Sequence, residues 1–346
     1  MAHPERPGSE PVTIKDIAVA AGVATSTVSR ALSRPDRVNP RTREMIETLA
    51  AEMNYVPSTQ ARALSSGRTG AVELLVPDVT NPFYFDIIRG TQHQLKAAGY
   101  TQLLVDTEES AEVESEALAK LRRTCDGVVL VASRLSDAAI IEAAQLSPIV
   151  TIYRGIHGVP TVIIDTPDSV GQALEHLASL GHQHIAYAAG PIGSWSNARR
   201  LRAVEEHAAR LNLRISRLGP FAPKTTSGAA AADAALHSGA SAGIAFNDLI
   251  GIGMLQRFAA RGVRIPQDFS LVGCDDIFGA DFCNPPLTTI TAPVEQAGRV
   301  AITMLLSRTA PSTGAGGIRE LAVLPTHLTV RQSTGPIRES ATEKLG

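Results

Sequence analysis

The chain contains 346 residues with a formal net charge of −2, and its 44% hydrophobic content is enough to bury large cores in two or three domains. The first eleven residues lack the apolar segment of a secretory signal, and no later run approaches the roughly 18 apolar residues of a membrane span. Three scattered cysteines are too few for a disulfide framework or a paired-cysteine metal site, so we expect a cytoplasmic protein without a membrane partner, metal or cofactor.

The first predicted element is a short helix that follows a lead-in without periodicity. Residues 1–11 are punctuated by proline and glycine, and we expect them to be disordered. Thr13 and Asp16 have the spacing of a capping box, and apolar side chains follow at helical spacing on one face. Gly22 is expected to end this helix.

Two more short helices are predicted before Pro57. One covers residues 25–32, and the other is capped by Asn39 and begins at Pro40. Three short helices whose first two are joined by a tight glycine-containing turn form the architecture of a helix-turn-helix. A generic three-helix bundle has the same periodicity, and spacing alone leaves that alternative open.

Basic residues are concentrated in the second and third of these helices. Within fourteen positions, five arginines are opposed only by Asp36. Such a cluster is typical of a module that contacts phosphates, but a solvated helix face has the same composition. Charge alone leaves both interpretations open. The five are Arg30, Arg34, Arg37, Arg41 and Arg43.

From Gly70 onwards, short apolar runs alternate with amphipathic helical segments, which is typical of parallel sheets covered on both faces. The length of this region predicts two doubly wound units that face each other across a cleft, with ligands at the carboxyl ends of the strands. The predicted strands are 71–76, 101–105, 127–131, 149–152, 162–164, 185–189, 243–246 and 271–274. The predicted helices include 86–98, 170–180, 198–211 and 249–261.

A long, ordered set of motifs resembles one family. Residues 12–70, VTIKDIAVAAGVATSTVSRALSRPDRVNPRTREMIETLAAEMNYVPSTQARALSSGRTG, resemble the head and hinge of the lac repressor/gal repressor family. The resemblance implies a DNA-binding transcriptional regulator, most often a repressor, whose operator affinity is controlled by a small-molecule effector. Further matches are VPDVTNPFYFDIIRG (76–90), GHQHIAYAAGP (181–191), FND (246–248) and VGCDDIFGADFCNPPLTTI (272–290).

The resemblance also implies a fold class and a domain order. The fold is an N-terminal all-α helix-turn-helix head followed by an α/β periplasmic-binding-protein-like body of two doubly wound parallel-sheet subdomains. The expected divisions are a disordered lead-in at 1–11, the DNA-binding domain at 12–57, a hinge helix and linker at 58–69, the effector-binding and dimerisation domain at 70–336 and a flexible tail at 337–346.

In the family, the second helix enters the major groove. Matched onto this chain, its base-reading positions are Thr25, Ser26 and Arg30; an arginine can bind guanine or a phosphate, whereas short hydroxyls reach bases weakly or through water. Where the family usually has a capping serine, this chain has Ala24, and we expect Thr25 to cap the helix instead. Residues that resemble the family's phosphate contacts are Thr27, Ser29, Ser33, Arg37 and Thr42.

Residues 58–66 match the hinge helix of the family. Nine residues are too few to hold a helix in water unaided, so this segment is expected to order only against a partner hinge and DNA. Ser58 begins the segment, and Leu64 matches the leucine that wedges into the minor groove at the operator centre. The alternative for Leu64 is an ordinary buried linker residue.

The body resembles a sugar-binding fold with a ligand between its subdomains. By resemblance, Phe83 and Tyr84 present side chains from the first subdomain, and Arg200, Asn247 and Asp275 present polar groups from the second. An arginine, an amide and a carboxylate between aromatic walls suit a polyhydroxylated ligand, which implies a sugar or a sugar derivative.

Two aromatic positions are left open by the sequence. Trp195 precedes Arg200 in a predicted loop, where it could stack on a sugar face or serve as a surface or core anchor. At Tyr153 the family often carries a carboxylate or an amide, so a ligand contact at this position is undecided.

Enzymatic and metal-binding interpretations are weak. Adjacent carboxylates such as Asp275 and Asp276 splay apart, and His182 and His184 lack a third metal ligand at a suitable spacing. We expect no enzyme. The alternative function is a free sugar-binding or sugar-metabolising protein whose head is incidental, although a transport protein would need a signal peptide.

The expected partners are operator DNA, a small-molecule effector and a second copy of the chain. One hinge cannot order alone and one recognition helix covers only a half-site, so we expect a homodimer on a pseudo-palindromic operator. The segment after Pro336 lacks a leucine heptad repeat, which argues against a tetramer held by a coiled coil.

Overall fold

The computed structural model describes most of the chain, which falls into two units, Met1–Gly70 and Ala71–Gly346. The predicted lead-in, the hinge helix with Ser58 and Leu64, and residues 338–346 of the predicted tail lie outside the described residues. The described residues are 12–33, 35–55, 68–121, 124–309 and 320–337.

The N-terminal unit contains the three predicted helices. Helix α1 is Ile14–Ala21, α2 is Thr25–Ser33 and α3 is Pro40–Glu52, with a 3-10 turn at Pro35–Arg37. The Thr13 N–H donates to Asp16 Oδ2 at 2.8 Å, which confirms the capping box that starts α1. Side chains from all three helices form one small core: Ile17, Ala18, Val28, Ala31, Ile46 and Ala50.

The second unit contains twelve strands in the described residues, arranged in two sheets. The strands are β1 (Ala71–Val76), β2 (Thr101–Asp106), β3 (Gly127–Val131), β4 (Ile149–Ile152), β5 (Thr161–Asp165), β6 (His184–Ala188), β7 (Arg214–Leu218), β8 (Ala242–Ala245), β9 (Ser270–Cys274), β10 (Thr288–Thr291), β11 (Leu321–Pro325) and β12 (His327–Thr329). The first sheet has the order β11-β5-β4-β3-β1-β2, and the second has the order β12-β10-β9-β8-β6-β7. Neighbouring strands are parallel except β10 and β12.

Helices cover both sheets, as the alternation of apolar runs and amphipathic segments predicts. In chain order they are α4 (Phe83–Ala97), α5 (Ala111–Leu121), α6 (Asp137–Leu146), α7 (Pro167–Ser179), α8 (Trp195–Arg210), α9 (Gly228–His237), α10 (Asp248–Ala260) and α11 (Val294–Thr309). The apolar side chains of each sheet form separate buried clusters on its two faces.

The chain passes between the two sheets three times, at residue 166, at residues 292–293 and at residue 326. Two of these crossings are bonded to each other, because Thr326 Oγ1 donates to the Asp165 carbonyl at 2.7 Å and lies 2.7 Å from Ser169 Oγ. Three short connections therefore join the two sheets, an arrangement that places a cleft between them.

One carboxyl group is buried inside the first sheet. Glu73 in strand β1, between β3 and the edge strand β2, is 0% exposed; its Oε1 accepts from Cys125 Sγ at 3.1 Å, and its Oε2 has no hydrogen-bond partner. Burial raises the pKa of Glu73 from 4.5 to about 7. The folded protein therefore binds this proton more tightly than the unfolded chain, and the associated stability is lost as the pH rises from 4.5 to about 7.

We expect Glu73→Gln to vary less in stability with pH than the wild type. The free energy of unfolding, measured in urea between pH 4.5 and pH 8, should fall by roughly 1–3 kcal/mol more in the wild type than in the variant. Glu116→Gln on the exposed face of α5 is the control and should keep the wild-type slope. Parallel pH profiles for Glu73→Gln and the wild type would contradict this interpretation.

Candidate DNA-binding and ligand-binding sites

The predicted base-reading residues lie on the exposed surface of α2. Thr25, Ser26 and Arg30 are exposed, whereas Val28 and Ala31 of the same helix are buried. Arg30 turns back along the helix, with its Nε donating to the Ser26 carbonyl at 3.2 Å and its Nη2 donating to Ser26 Oγ at 3.3 Å. Ser26 therefore positions the arginine as well as presenting its own hydroxyl.

Helix α2 begins at Thr25 as predicted, but its capping residue differs from the prediction. The Val28 N–H donates to the Ala24 carbonyl at 3.2 Å, so Ala24 occupies the cap position and Thr25 already lies in the first turn. The expectation that Thr25 caps the helix is wrong. Alanine offers no side-chain oxygen to the helix N-terminus, which leaves the backbone N–H groups there to water or to another acceptor.

The predicted phosphate contacts lie on α2, in the 3-10 turn and at the start of α3. Arg37 is exposed in the 3-10 turn, and Thr42 is half-buried in the first turn of α3. Thr27 and Ser29 are half-buried on α2. Ser33 is the last residue of α2, and its side chain lies outside the described residues.

The second unit contains a narrow cleft between its two sheets, with a cavity volume of about 30 Å³. Its lining residues follow the carboxyl ends of strands from both sheets, where ligands bind in doubly wound folds. Five of the six predicted effector residues line it: Phe83, Tyr84, Arg200, Asn247 and Asp275. The structure also brings Tyr153, which the sequence left undecided, into the same lining.

Arg200 and Asp275 form a buried ion pair at the centre of this cleft. Arg200 Nη2 donates to Asp275 Oδ1 at 2.8 Å, and the two side chains are only 4% and 8% exposed. Arg200 Nη1 also donates to the Phe246 carbonyl at 2.5 Å, whereas its Nε is buried without a partner. Burial raises the pKa of Asp275, and the Arg200 guanidinium opposes that rise.

Asn247 has a local structural role in addition to its place in the lining. Its Oδ1 accepts from the Ile250 N–H at 3.1 Å, which caps α10, and its Nδ2 donates to the Pro223 carbonyl at 3.3 Å. Both ends of the amide are therefore engaged. Asn247 orients Pro223 and the start of α10 around the cleft.

The next residue, Asp248, ties the start of α10 to the turn that carries Asp275. Its side chain is fully buried and accepts from the Ile277 N–H at 3.0 Å and from Thr289 Oγ1 at 2.6 Å. Burial, reinforced by the nearby Asp275 carboxylate, raises the pKa of Asp248 to about 7. Sequence reasoning did not select Asp248, because its partners are distant in the chain.

Three aromatic rings form one wall of the cleft. The Phe83 ring packs edge-on against Tyr84 and Tyr153, with centroid separations of 5.2 and 5.4 Å. Tyr153 is 4% exposed, and its hydroxyl has no hydrogen-bond partner. A buried phenol without a partner is a favourable position for a ligand hydroxyl.

Trp195 lies elsewhere. It is the first residue of α8 and not part of a loop, so the predicted local structure is wrong; Ser194, which caps the helix, is the residue that ends the loop. The Arg199 guanidinium lies 4.9 Å from the centre of the Trp195 ring. The described lining of the cleft does not include Trp195.

Sequence reasoning also missed a second ion pair in the lining. Arg134 Nε donates to Glu109 Oε2 at 2.7 Å, and the Arg134 N–H donates to Glu114 Oε2 at 2.9 Å. Both Arg134 and Glu109 line the cleft, together with Asn81 and Ser196. Each follows a strand or begins a helix, but none belongs to a motif that spacing alone distinguishes from an ordinary loop.

The two histidines that resemble a metal site have other partners. His182 Nδ1 lies 2.8 Å from Ser241 Oγ, and His184 Nε2 lies 2.8 Å from Ser216 Oγ. Within the ranges that the structure describes, no group of three histidine, cysteine or acidic side chains is arranged to hold a metal ion. The described helices likewise include none that is long and apolar enough to cross a membrane.

Comparison with known proteins accounts for both units. Residues 13–58 match the model of the family described as bacterial regulatory proteins, lacI family, and residues 174–334 match a periplasmic binding protein-like domain. The HTH-type transcriptional regulator DegA of Bacillus subtilis (strain 168) is 31% identical over 339 residues, which cover 94% of this chain and 98% of DegA. The chain belongs to the LacI family of bacterial regulatory proteins. The family predicted from the motifs is therefore confirmed.

Solved structures of LacI-family proteins share its fold. The lac repressor dimer bound to operator and the anti-inducer ONPF aligns with a TM-score of 0.82 at 26% identity, over 94% of this chain and all of that one. The complex of the transcriptional regulator CelR with cellobiose aligns with a TM-score of 0.68 at 30% identity, over 93% and 99%. DegA and CelR are transcriptional regulators, and the lac repressor structure contains operator. The predicted helix-turn-helix head and two-sheet body are confirmed.

Proposed function

We propose that this LacI-family regulator is a repressor that binds a pseudo-palindromic operator as a homodimer and releases or tightens it when a small polyhydroxylated effector enters the cleft. The observation that carries the proposal is the buried Arg200–Asp275 pair at the strand ends, in the same chain as an exposed recognition helix. The two side chains are only 4% and 8% exposed, so burying this ion pair has a large desolvation free energy. Hydrogen bonds from a ligand to the pair offset part of that free energy.

We assign a function to each segment of the chain from its sequence motifs. Residues 12–57 bind DNA, residues 58–69 act as the hinge, and residues 70–336 bind the effector and dimerise. Thr25, Ser26 and Arg30 read bases, while Thr27, Ser29, Ser33, Arg37 and Thr42 contact phosphates. In the hinge, Leu64 inserts into the minor groove at the operator centre, and Ser58 also contacts DNA.

The effector contacts are Phe83, Tyr84, Arg200, Asn247 and Asp275. A guanidinium and a carboxylate fixed against each other present donors and acceptors at one point, which suits a pair of ligand hydroxyls. CelR, a LacI-family structural match, was solved with the disaccharide cellobiose, which supports a carbohydrate effector for this chain. Because it acts on chromosomal DNA, we place the protein in the cytoplasm.

The competing function is a free sugar-binding or sugar-metabolising protein. The head argues against it, because a packed core of three helices with exposed Thr25, Ser26 and Arg30 has no use in such a protein. An enzyme also needs an acid, a base or a nucleophile placed for chemistry, whereas both acidic groups of the cleft, Glu109 and Asp275, are held by arginines.

Selection of genomic DNA fragments on the purified protein tests the proposal. The wild type should enrich pseudo-palindromic sequences. Arg30→Ala removes one arginine–base contact of about 1–3 kcal/mol from each protomer, which is two contacts per dimer, and should weaken binding to the enriched operator by about 30-fold or more. Arg308→Ala on the exposed surface of α11 is the control and should bind like the wild type. Enrichment of no sequence, or equal binding by Arg30→Ala, would contradict the proposal.

A further inference from the structure

The charged groups that line the cleft are already balanced. Two arginines and two carboxylates line it, and each arginine is bonded to one carboxylate: Arg200 to Asp275 and Arg134 to Glu109. All four side chains are at most 22% exposed. A charged ligand therefore finds no unneutralised charge in the lining. To gain an ionic partner it has to displace a member of a pair, which leaves the displaced charge buried without a partner.

The mouth of the cleft adds negative charge. A wider space of about 780 Å³ adjoins the cleft and shares Glu109, Arg134 and Pro223 with it. Its remaining charged lining residues are three acids and one base: Asp78, Asp106, Glu108 and Lys224. A ligand that approaches through this space meets an excess of carboxylates, which disfavours an anion.

Two buried polar groups in the lining have no partner. They are the Tyr153 hydroxyl and Arg200 Nε, on side chains from residues that are 4% and 3% exposed. A ligand hydroxyl can accept from Arg200 Nε or bond to the Tyr153 hydroxyl without disturbing either ion pair. Phe83 packs against the ring of Tyr153 at a centroid distance of 5.4 Å, which fixes the direction of its hydroxyl.

We propose that the effector is an uncharged polyhydroxylated molecule, a free sugar or a nucleoside and not its phosphate ester, and that Tyr153 is a specificity-determining residue that hydrogen-bonds one of its hydroxyls. This inference rests on the proposed function, because it assumes that the effector binds in this cleft. It restricts the effector to uncharged molecules and adds Tyr153, which follows a strand of the first sheet, to the residues that contact it.

The test is a thermal-shift and calorimetric comparison on the full-length protein. The probes are ribose, glucose, cellobiose, adenosine and cytidine, each beside its phosphate ester, with glucosamine as a cationic probe. We expect at least one uncharged probe to raise the Tm, and its phosphate ester to raise it no more than inorganic phosphate does. Tyr153→Phe should weaken the Kd of that uncharged probe about three- to tenfold.

Two further variants separate charge from shape. Tyr100→Phe removes a phenol hydroxyl outside the lining and should bind the uncharged probe like the wild type. Glu109→Gln removes the carboxylate that opposes Arg134, and the phosphate ester is then expected to raise the Tm. If the phosphate ester does not raise the Tm of Glu109→Gln, the Arg134–Glu109 ion pair does not exclude anions and the argument from charge fails.

The remaining outcomes distinguish the inference from the proposed function. A phosphate ester or glucosamine that stabilises the wild type, but not Asp275→Ala, would overturn the uncharged effector while the cleft keeps its proposed role. Unchanged affinity in Tyr153→Phe would overturn the assignment of Tyr153. If no probe of any charge stabilises the wild type, the proposed effector function is contradicted and the inference falls with it.

Discussion

Asp275→Ala is expected to abolish most of the effector response and to destabilise the body by about 3–5 kcal/mol. The substitution leaves the Arg200 guanidinium, which is 4% exposed, without its carboxylate partner in the cleft. It also removes a charge-assisted hydrogen bond to the effector of roughly 1.5–3 kcal/mol. Operator affinity without effector should remain within a few-fold of the wild type at temperatures where the variant is folded, because Asp275 belongs to the second unit.

Urea denaturation, calorimetry with the effector and fluorescence anisotropy with operator measure the three quantities separately. Asp276→Ala is the matched control: its partner Arg331 lies 2.7 Å away, but these two side chains are about one-fifth exposed, against 4% and 8% for Arg200 and Asp275, so a smaller loss of stability is expected. Asp275→Asn keeps the size of the side chain and suits the positive φ of 115° at this residue. Normal effector binding by both Asp275 variants would show that the effector lies elsewhere.

The sequence predicted best the strands in which nearly every residue is buried. The bounds predicted for β1, β3 and β4 agree with the structure, because central parallel strands are apolar on both faces and their runs end abruptly. In contrast, β7 was not predicted. Its sequence RISRL contains two arginines and a serine, so no apolar run marks it, and it forms an edge of the second sheet.

The strands near the carboxyl end of the chain depend on long-range pairing. Strand β11 pairs with β5, although some 160 residues separate Leu321 from Thr161, and β12 pairs with β10. Short exposed segments such as these contain no local signal for the sheet that they join. The crossings between the sheets, and therefore the position of the cleft, became clear only from the structure.

Some residues of the candidate ligand-binding site could also be selected from the sequence, whereas others became apparent only from the structure. Asp275 and Arg200 were selected by resemblance, and the structure adds the distance that makes them a pair. Arg134 and Glu109 were missed, because each is an ordinary charged residue until the ends of β2 and β3 bring them together. A pairing between residues 25 positions apart leaves no periodic trace in one sequence.

Operator binding is expected to weaken by about 10³–10⁵-fold when the salt concentration rises from 50 to 200 mM, as for proteins that make six to ten phosphate contacts. The five arginines between residues 30 and 43 give a dimer enough cations for this number. Arg37 is exposed in the 3-10 turn, and Arg41 is exposed at the start of α3. When an arginine neutralises a phosphate, condensed counterions are released from the DNA. The entropy gained by this release becomes smaller as the bulk salt concentration rises.

Removing one such arginine per protomer should change the slope and not only the affinity. Arg37→Ala is expected to lower the slope of log K against log salt by about 2 in a dimer, since each contact contributes about 0.9. Its affinity for the operator and for an unrelated duplex should fall by the same factor, because a phosphate contact does not read sequence. Arg30→Ala should instead reduce the preference for the operator, because a base contact specifies sequence. A slope unchanged by Arg37→Ala, or an equal loss on both duplexes for Arg30→Ala, would mean that these two arginines have been assigned to the wrong roles.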